Sequence, residues 1–320
     1  MSIRLYHPED REAVRALFKK VFDKEHPDSY WEWKYSSPPL KPLVLVWEEN
    51  EQILGHIALW VMPAYIEGRS SKIGLRMDTM VDPEARGKGI YNYLNQDMLQ
   101  RAEAENIVML YGFPSPAANS RLLKYTNASH QVNISRRILY APARLKRGSN
   151  KADVSQLTFK PVAECGPEFN ELASQNKDQW PVHVNKYADF LNWRYFQHPV
   201  NSYKMTACYM EGKLRGYVVT KKEKKKVKGL PIGIGSIVDI SAGTAEESEA
   251  LAREAVYELK SCLVVQTWTL PHSGLADSLQ HLGFKEKDQP LPFVTHNLSS
   301  SPSLDDPSSW FITQGDVDSF

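Results

Sequence analysis

The stretch Met77-Asp78-Thr79-Met80-Val81-Asp82-Pro83-Glu84-Ala85-Arg86-Gly87-Lys88-Gly89-Ile90 decides how this chain is read. Ile73 to Val81 is a strand candidate that ends at Asp82-Pro83, and Ile90, Tyr93, Leu94, Met98 and Ala102 follow at helical spacing. A strand therefore runs into a glycine turn and then a helix. Glycines let the backbone approach a ligand closely. The free N–H groups of a helix start favour an anion, and Arg86 and Lys88 add positive charge. A phosphate-bearing ligand is the natural guest. The P-loop pattern Gly-x4-Gly-Lys-Ser/Thr is absent, and the dinucleotide pattern Gly-x-Gly-x-x-Gly fails at Asn92.

The segment Val81 to Ile90 closely resembles the acyl-CoA-binding motif of the GCN5-related N-acetyltransferases, the GNAT superfamily. The resemblance covers about residues 3–140 in element order. It implies acetyl-CoA as co-substrate, with no metal, and main-chain amides near Arg86, Gly87, Lys88, Gly89 and Ile90 on the pyrophosphate. It also implies a splayed strand at Met80, Val81 and Asp82 that hydrogen-bonds the pantetheine arm and the acetyl carbonyl. Gly112-Phe113-Pro114-Ser115-Pro116 resembles a signature of acetyltransferase-like proteins associated with bacterial surface polysaccharides.

The second half repeats the first. Trp33-Lys34-Tyr35 and Pro39 are echoed 160 residues later by Trp193-Arg194-Tyr195 and Pro199. Val81-Asp82, Leu94 and Pro114 are echoed 157 residues later by Val238-Asp239, Leu251 and Pro271. The expected architecture is α/β, two tandem GNAT-like domains, each a mixed central sheet flanked by helices. The boundaries read as 1–145 for the motif-bearing domain, 146–155 for a polar linker, 156–298 for a degenerate copy and 299–320 for a tail ending in Trp310-Phe311 that docks back. At the 157-residue offset, Arg86, Gly87 and Gly89 fall on Gly243, Thr244 and Glu246, so a carboxylate replaces the anion site and the second copy is expected not to bind CoA.

Amine acetylation needs a proton acceptor or a water relay, an oxyanion stabiliser and a proton for the leaving thiolate. Within the resemblance, Asp78 on the strand before the loop is the candidate base, and an N–H near Met80 or Val81 stabilises the oxyanion. Tyr125 is the candidate acid, although the 157-residue offset puts Leu122 in that slot. Asn119 is a candidate pantetheine contact. Tyr30, Trp31, Trp33 and Tyr35 form either an acceptor wall or a packed core.

Composition narrows the class. The 320 residues hold 39 Lys plus Arg against 38 Asp plus Glu, a net charge of +1 that argues against a dedicated nucleic-acid binder. No window approaches the roughly 18 apolar residues of a membrane span. Three scattered cysteines and a charged start fit the reducing cytoplasm. The expected function is acyl-CoA-dependent N-acylation of a small amine, an amino sugar among the candidates. The alternatives are a decayed GNAT fold serving as a scaffold, and an aminoacyl-tRNA-dependent transferase of the peptidoglycan-bridge kind.

Overall fold

The computed structural model describes residues 2–141, 156–227, 229–271 and 273–318. The stretch 146–155, expected as a linker, lies outside them.

The first half runs β1 (Ser2–Leu5), α1 (Arg11–Phe22), α2 (Asp28–Tyr35), β2 (Leu43–Glu49), β3 (Gln52–Ile66), β4 (Arg69–Val81), α3 (Ile90–Ala104), β5 (Ile107–Gly112), α4 (Pro116–Thr126) and β6 (Ser129–Tyr140). The second runs β7 (Thr158–Val162), α5 (Pro167–Gln175), β8 (Val182–Val184), α6 (Ala188–Leu191), β9 (Tyr203–Met210), β10 (Lys213–Val227), β11 (Leu230–Ala242), α7 (Ala245–Glu258), β12 (Val264–Thr269), α8 (Gly274–His281) and β13 (Lys285–Asn297). In the tail, β14 (Trp310–Phe311) pairs parallel to β8, and Trp310 is buried.

Two compact units result. One is Met1–Ala64, Ser70–Gln131 and Pro292–Asp305; the other is Tyr65–Arg69, Val132–Leu291 and Asp306–Phe320. Each unit therefore includes strand residues from the opposite half of the sequence. In the first unit, Val294 to Asn297 of β13 pair antiparallel with β5. In the second, Ser135 to Tyr140 of β6 pair antiparallel with β12.

Strand pairing is mixed in both units, with antiparallel hairpins, the parallel crossover pairs β4–β5 and β11–β12, and the short parallel pair β8–β14. Parallel neighbours need a crossover, and α3 and α7 supply it. Ile90, Leu94, Met98 and Ala102 repeat every four residues, so one stripe of α3 packs on Leu45, Ile57, Leu59 and Leu110 of the sheet. The opposite face receives Val14, Leu17 and Phe18 of α1 and Trp31 of α2, which pack on Val46 and Met80. In the second unit α7 buries Leu251, Ala252, Ala255 and Leu259 against Val218, Ile237, Ile240 and Val265. The lysine run from Lys221 continues β10 to Val227 in register with β11 and leads into the hairpin turn.

Candidate active site

β4 and β5 run paired only from Lys72↔Ile107 to Leu75↔Tyr111. The other edge of β5 pairs with β13 from Met109↔Asn297 to Gly112↔Val294. The last residues of β4, Arg76 to Val81, have no β5 partner; the splayed strand was expected at Met80 to Asp82.

Asp78 stands in this free segment with φ of 44°. A non-glycine residue at positive φ is uncommon and needs support. The support comes from α2 and β3. Tyr35 Oη donates to the Asp78 carboxylate at 2.5 Å, and Lys34 Nζ lies 2.7 Å from it. His56 Nδ1 lies 2.8 Å from the Asp78 carbonyl oxygen. A carbonyl only accepts, so Nδ1 carries the proton and Nε2 does not; Nε2 is buried without a partner. Burial also lowers the His56 pKa, so the ring is neutral at pH 7.

The base expected at Asp78 is therefore the anion of a buried ion pair. Burial alone would raise its pKa, but the Lys34 charge and the hydrogen bonds from Lys34 and Tyr35 outweigh it and hold the carboxyl below its ordinary value. A carboxylate so stabilised is a weak proton acceptor. The cluster supports the positive-φ backbone of Asp78.

Asp82 caps the turn Pro83–Ala85 by accepting from the Glu84 N–H at 2.9 Å, and Lys20 Nζ donates to it at 2.9 Å. Its own N–H donates to the Leu54 carbonyl at 2.8 Å, so that amide is held by β3. Met80 is buried under α1, which anchors the strand.

The loop then rises to α3. Gly87 has φ of 90° and Gly89, the N-cap of α3, φ of 80°. No side chain caps the helix, and the position a Gly87 Cβ would take is open space. Arg86 and Lys88 are exposed. Lys88 Nζ reaches Glu49 at 3.3 Å; among the described residues Arg86 has no ion-pair partner. The result is an uncapped helix N-terminus with two cations beside it.

Polar groups without partners mark the elements that bound the parted strands. Arg76 Nη1 donates to Asn95 Oδ1 of α3 at 2.8 Å, but its Nη2 is buried and unpaired. The Asn119 Oδ1 of α4 and the His296 Nδ1 of β13 are in the same state. Leaving such an atom unpaired costs about 1–3 kcal/mol, which a ligand or water would offset. Tyr125 is partly exposed, and its ring meets Tyr91 of α3 with centroids 6.4 Å apart. Burial raises the pKa of Tyr91.

Arg76, Tyr91 and His56 escaped the sequence reading. Tyr91 had a readable signal, since it follows the glycine loop directly and its carbonyl accepts from Asn95 one turn later at 2.7 Å. The aromatic stretch resolves into core. Trp31 and Trp33 are buried, Trp33 meets Trp60 edge-on at 5.4 Å, and Trp31 stacks on Tyr35 at 5.4 Å.

The second copy ends differently. Eight residues, 82–89, join β4 to α3, whereas only Gly243 and Thr244 join β11 to α7. The glycine loop is shortened there rather than substituted. Thr244 Oγ1 accepts from the Glu247 N–H at 3.2 Å, and Glu247 accepts from the Thr244 N–H at 3.0 Å. The carboxylate that closes this helix start is thus Glu247, further tied to Arg215 at 2.6 Å; Glu246, expected in that place, is exposed.

A parallel pair that ends before its strands do and an uncapped helix start give a GNAT-like fold. Residues 2–124 match the family described as Acetyltransferase (GNAT) domain. A GCN5-related N-acetyltransferase from Anabaena variabilis superposes with a TM-score of 0.72 at 14% identity, covering 95% of this chain and 74% of that one. A probable N-acyltransferase from Enterococcus faecalis gives 0.71 at 15%, covering 93% and 72%. A tandem GNAT protein from the clavulanic acid biosynthesis pathway gives 0.57 at 14%, covering 94% and 99%. At such identities the shared property is the fold, and the fold is two GNAT-like domains in tandem. No curated protein matches the chain by sequence.

Proposed function

We propose that the chain is an acyl-CoA-dependent N-acyltransferase, acetyl-CoA being the donor and a small amine the acceptor, with an amino sugar as one candidate. The observation that carries this reading is the uncapped N-terminus of α3 beside the parted strands β4 and β5.

The amides from Gly87 to Ile90 hold the pyrophosphate, aided by the charges of Arg86 and Lys88. The pantetheine arm enters between β4 and β5, where Asn119 Oδ1 accepts from one of its amides. An N–H of Met80 or Val81 polarises the acyl carbonyl and stabilises the oxyanion. The amine attacks that carbonyl directly. Its proton leaves through water, because Asp78 is committed to Lys34 and Tyr35. The C–S bond breaks, and Tyr125 protonates the departing thiolate. Free CoA and the amide are the products.

Calorimetry with acetyl-CoA tests the reading. Micromolar binding is expected, and Gly87→Glu or Gly89→Glu abolishes it. Absence of binding by the unaltered protein sinks the proposal and leaves the scaffold and aminoacyl-tRNA alternatives. A screen of amines for thiol release then finds the acceptor. The water route predicts that Asp78→Asn lowers stability but keeps the acidic limb of the pH–rate profile; loss of that limb would restore Asp78 as the base.

A further inference from the structure

The second unit contains a cavity of about 220 Å³. Its apolar wall is Trp180, stacked on Phe311 with centroids 5.3 Å apart and planes 17° from parallel. Asn176 and Asn185 also line it. The Asn176 Nδ2 and the Asn185 Oδ1 are buried, and neither has a hydrogen-bond partner. Folded proteins pair nearly all such atoms. One spare donor and one spare acceptor on one cavity call for a guest that brings an acceptor and a donor.

Charge narrows the guest further. Lys186 is the one charged residue of the described lining. Its Nζ donates to Asp239 Oδ1 at 2.6 Å and to Thr313 Oγ1 at 3.1 Å, and lies 3.0 Å from Asp316 Oδ1. It is already neutralised, so an anion gains no unpaired cation, and a cation meets Lys186 itself. Thr244, also in the lining, spends its hydroxyl on the cap of α7.

We propose that this cavity binds a small uncharged ring carrying a carbonyl and an N–H, the chemistry of a lactam such as a pyrimidine base. The ring face packs on the Trp180–Phe311 stack, the carbonyl accepts from Asn176, and the N–H donates to Asn185. The site is separate from the acyl-CoA loop, which belongs to the other unit.

The full chain is titrated with uracil and nicotinamide, and with benzoate and toluene as charged and purely apolar controls. The Trp180 indole N–H is followed by NMR, assigned through Trp180→Phe. Uracil or nicotinamide is expected to shift that signal saturably. Asn176→Leu and Asn185→Leu each weaken binding about tenfold, the value of one buried hydrogen bond. Neither should lower the melting temperature, because each removes an unpaired polar atom. Gly274→Leu blocks binding, since a Cβ at Gly274 would already stand 3.6 Å from the Trp180 ring. If that variant does not fold, the two asparagine variants decide. The proposal is overturned if neither lactam binds, if benzoate or toluene binds as well as they do, or if both asparagine variants bind like the parent. Acetyl-CoA calorimetry on the asparagine variants is expected to be unchanged, so this proposal can fail without the acyltransferase reading failing.

Discussion

The two copies agree at a tyrosine–aspartate clasp on one strand and part at the loop that follows it. In the first, Tyr35 donates to Asp78 at 2.5 Å; in the second, Tyr195 donates to Asp239 at 2.8 Å. The tyrosines are the matching third residues of the Trp-Lys/Arg-Tyr echo, and the aspartates lie at the same depth in strands of equal length, 13 residues each. The cation differs. Lys34, the neighbour of Tyr35, serves Asp78, whereas Asp239 takes Lys186 and releases Arg194 to bond the carbonyls of Gly315 and Val317. The clasp is structural in both copies and is kept. The loop is not. In the first copy eight residues with two left-handed glycines leave a helix start unpaired; in the second, two residues and a capping box close it. A helix that satisfies its own N-terminal amides has none left for a pyrophosphate.

Breaking the clasp should give the largest effects. Asp78→Asn removes the carboxylate paired with the buried Lys34, and removing one partner of a buried ion pair typically costs about 3–5 kcal/mol; Asp239→Asn should cost less, because Asp316 still faces Lys186 at 3.0 Å. Denaturant unfolding checks this, and a loss below about 1 kcal/mol in either copy would mean that the clasp does not hold the strand. For Asp78 the pH dependence has a definite sign. Its folded pKa lies below its ordinary value, so its contribution is complete above roughly pH 4 and is lost as pH falls toward the folded pKa. The gap between the parent and Asp78→Asn should be full at pH 7 and close in acid.

Next comes the loop. Gly87→Glu adds a side chain at φ of 90° and a negative charge beside the anion site. A loss of at least about 100-fold in acetyl-CoA affinity is expected, equal to about 2.7 kcal/mol. Thr244→Gly in the other copy should confer no measurable CoA affinity, because the six missing loop residues are not restored. The same position gives a smaller, purely structural effect. Thr244→Ala removes the cap of α7 and should cost about 1 kcal/mol in thermal or denaturant unfolding.

The fold was legible because strand and helix periodicities are local, and the glycine loop was legible because it combines left-handed glycines, cations and a helix start in one segment. The clasp was half legible. The echo of Trp33-Lys34-Tyr35 marked the place, but its partners are strand residues more than 40 positions away, and nothing in a sequence states that distance. The constant 157-residue offset misled for a physical reason. It matched Asp239 to Asp82, whereas the shared tyrosine partner matches Asp239 to Asp78, because the second copy keeps the strand and shortens the loop. The placement of β6 and β13 was invisible, since strand pairing across distant parts of a chain leaves no local mark in the sequence.

The smallest effect separates the two cations of the open loop. Both Arg86 and Lys88 are exposed, so each is worth well under 1 kcal/mol to stability, and neither Arg86→Ala nor Lys88→Ala should change the melting temperature measurably. Their effects on acetyl-CoA should differ. Lys88 already shares its charge with Glu49 at 3.3 Å, so a pyrophosphate gains only what that pair gives up. Arg86 has no such partner among the described residues, and its guanidinium can bond two phosphate oxygens at once. Calorimetry at low ionic strength should show about a fivefold loss for Arg86→Ala and about a twofold loss for Lys88→Ala, both shrinking as salt screens the loop. Equal losses would mean that the Glu49 pair dissolves on binding and that the two charges act as one diffuse field; a larger loss at Lys88 would place the pyrophosphate on the other side of the glycine turn.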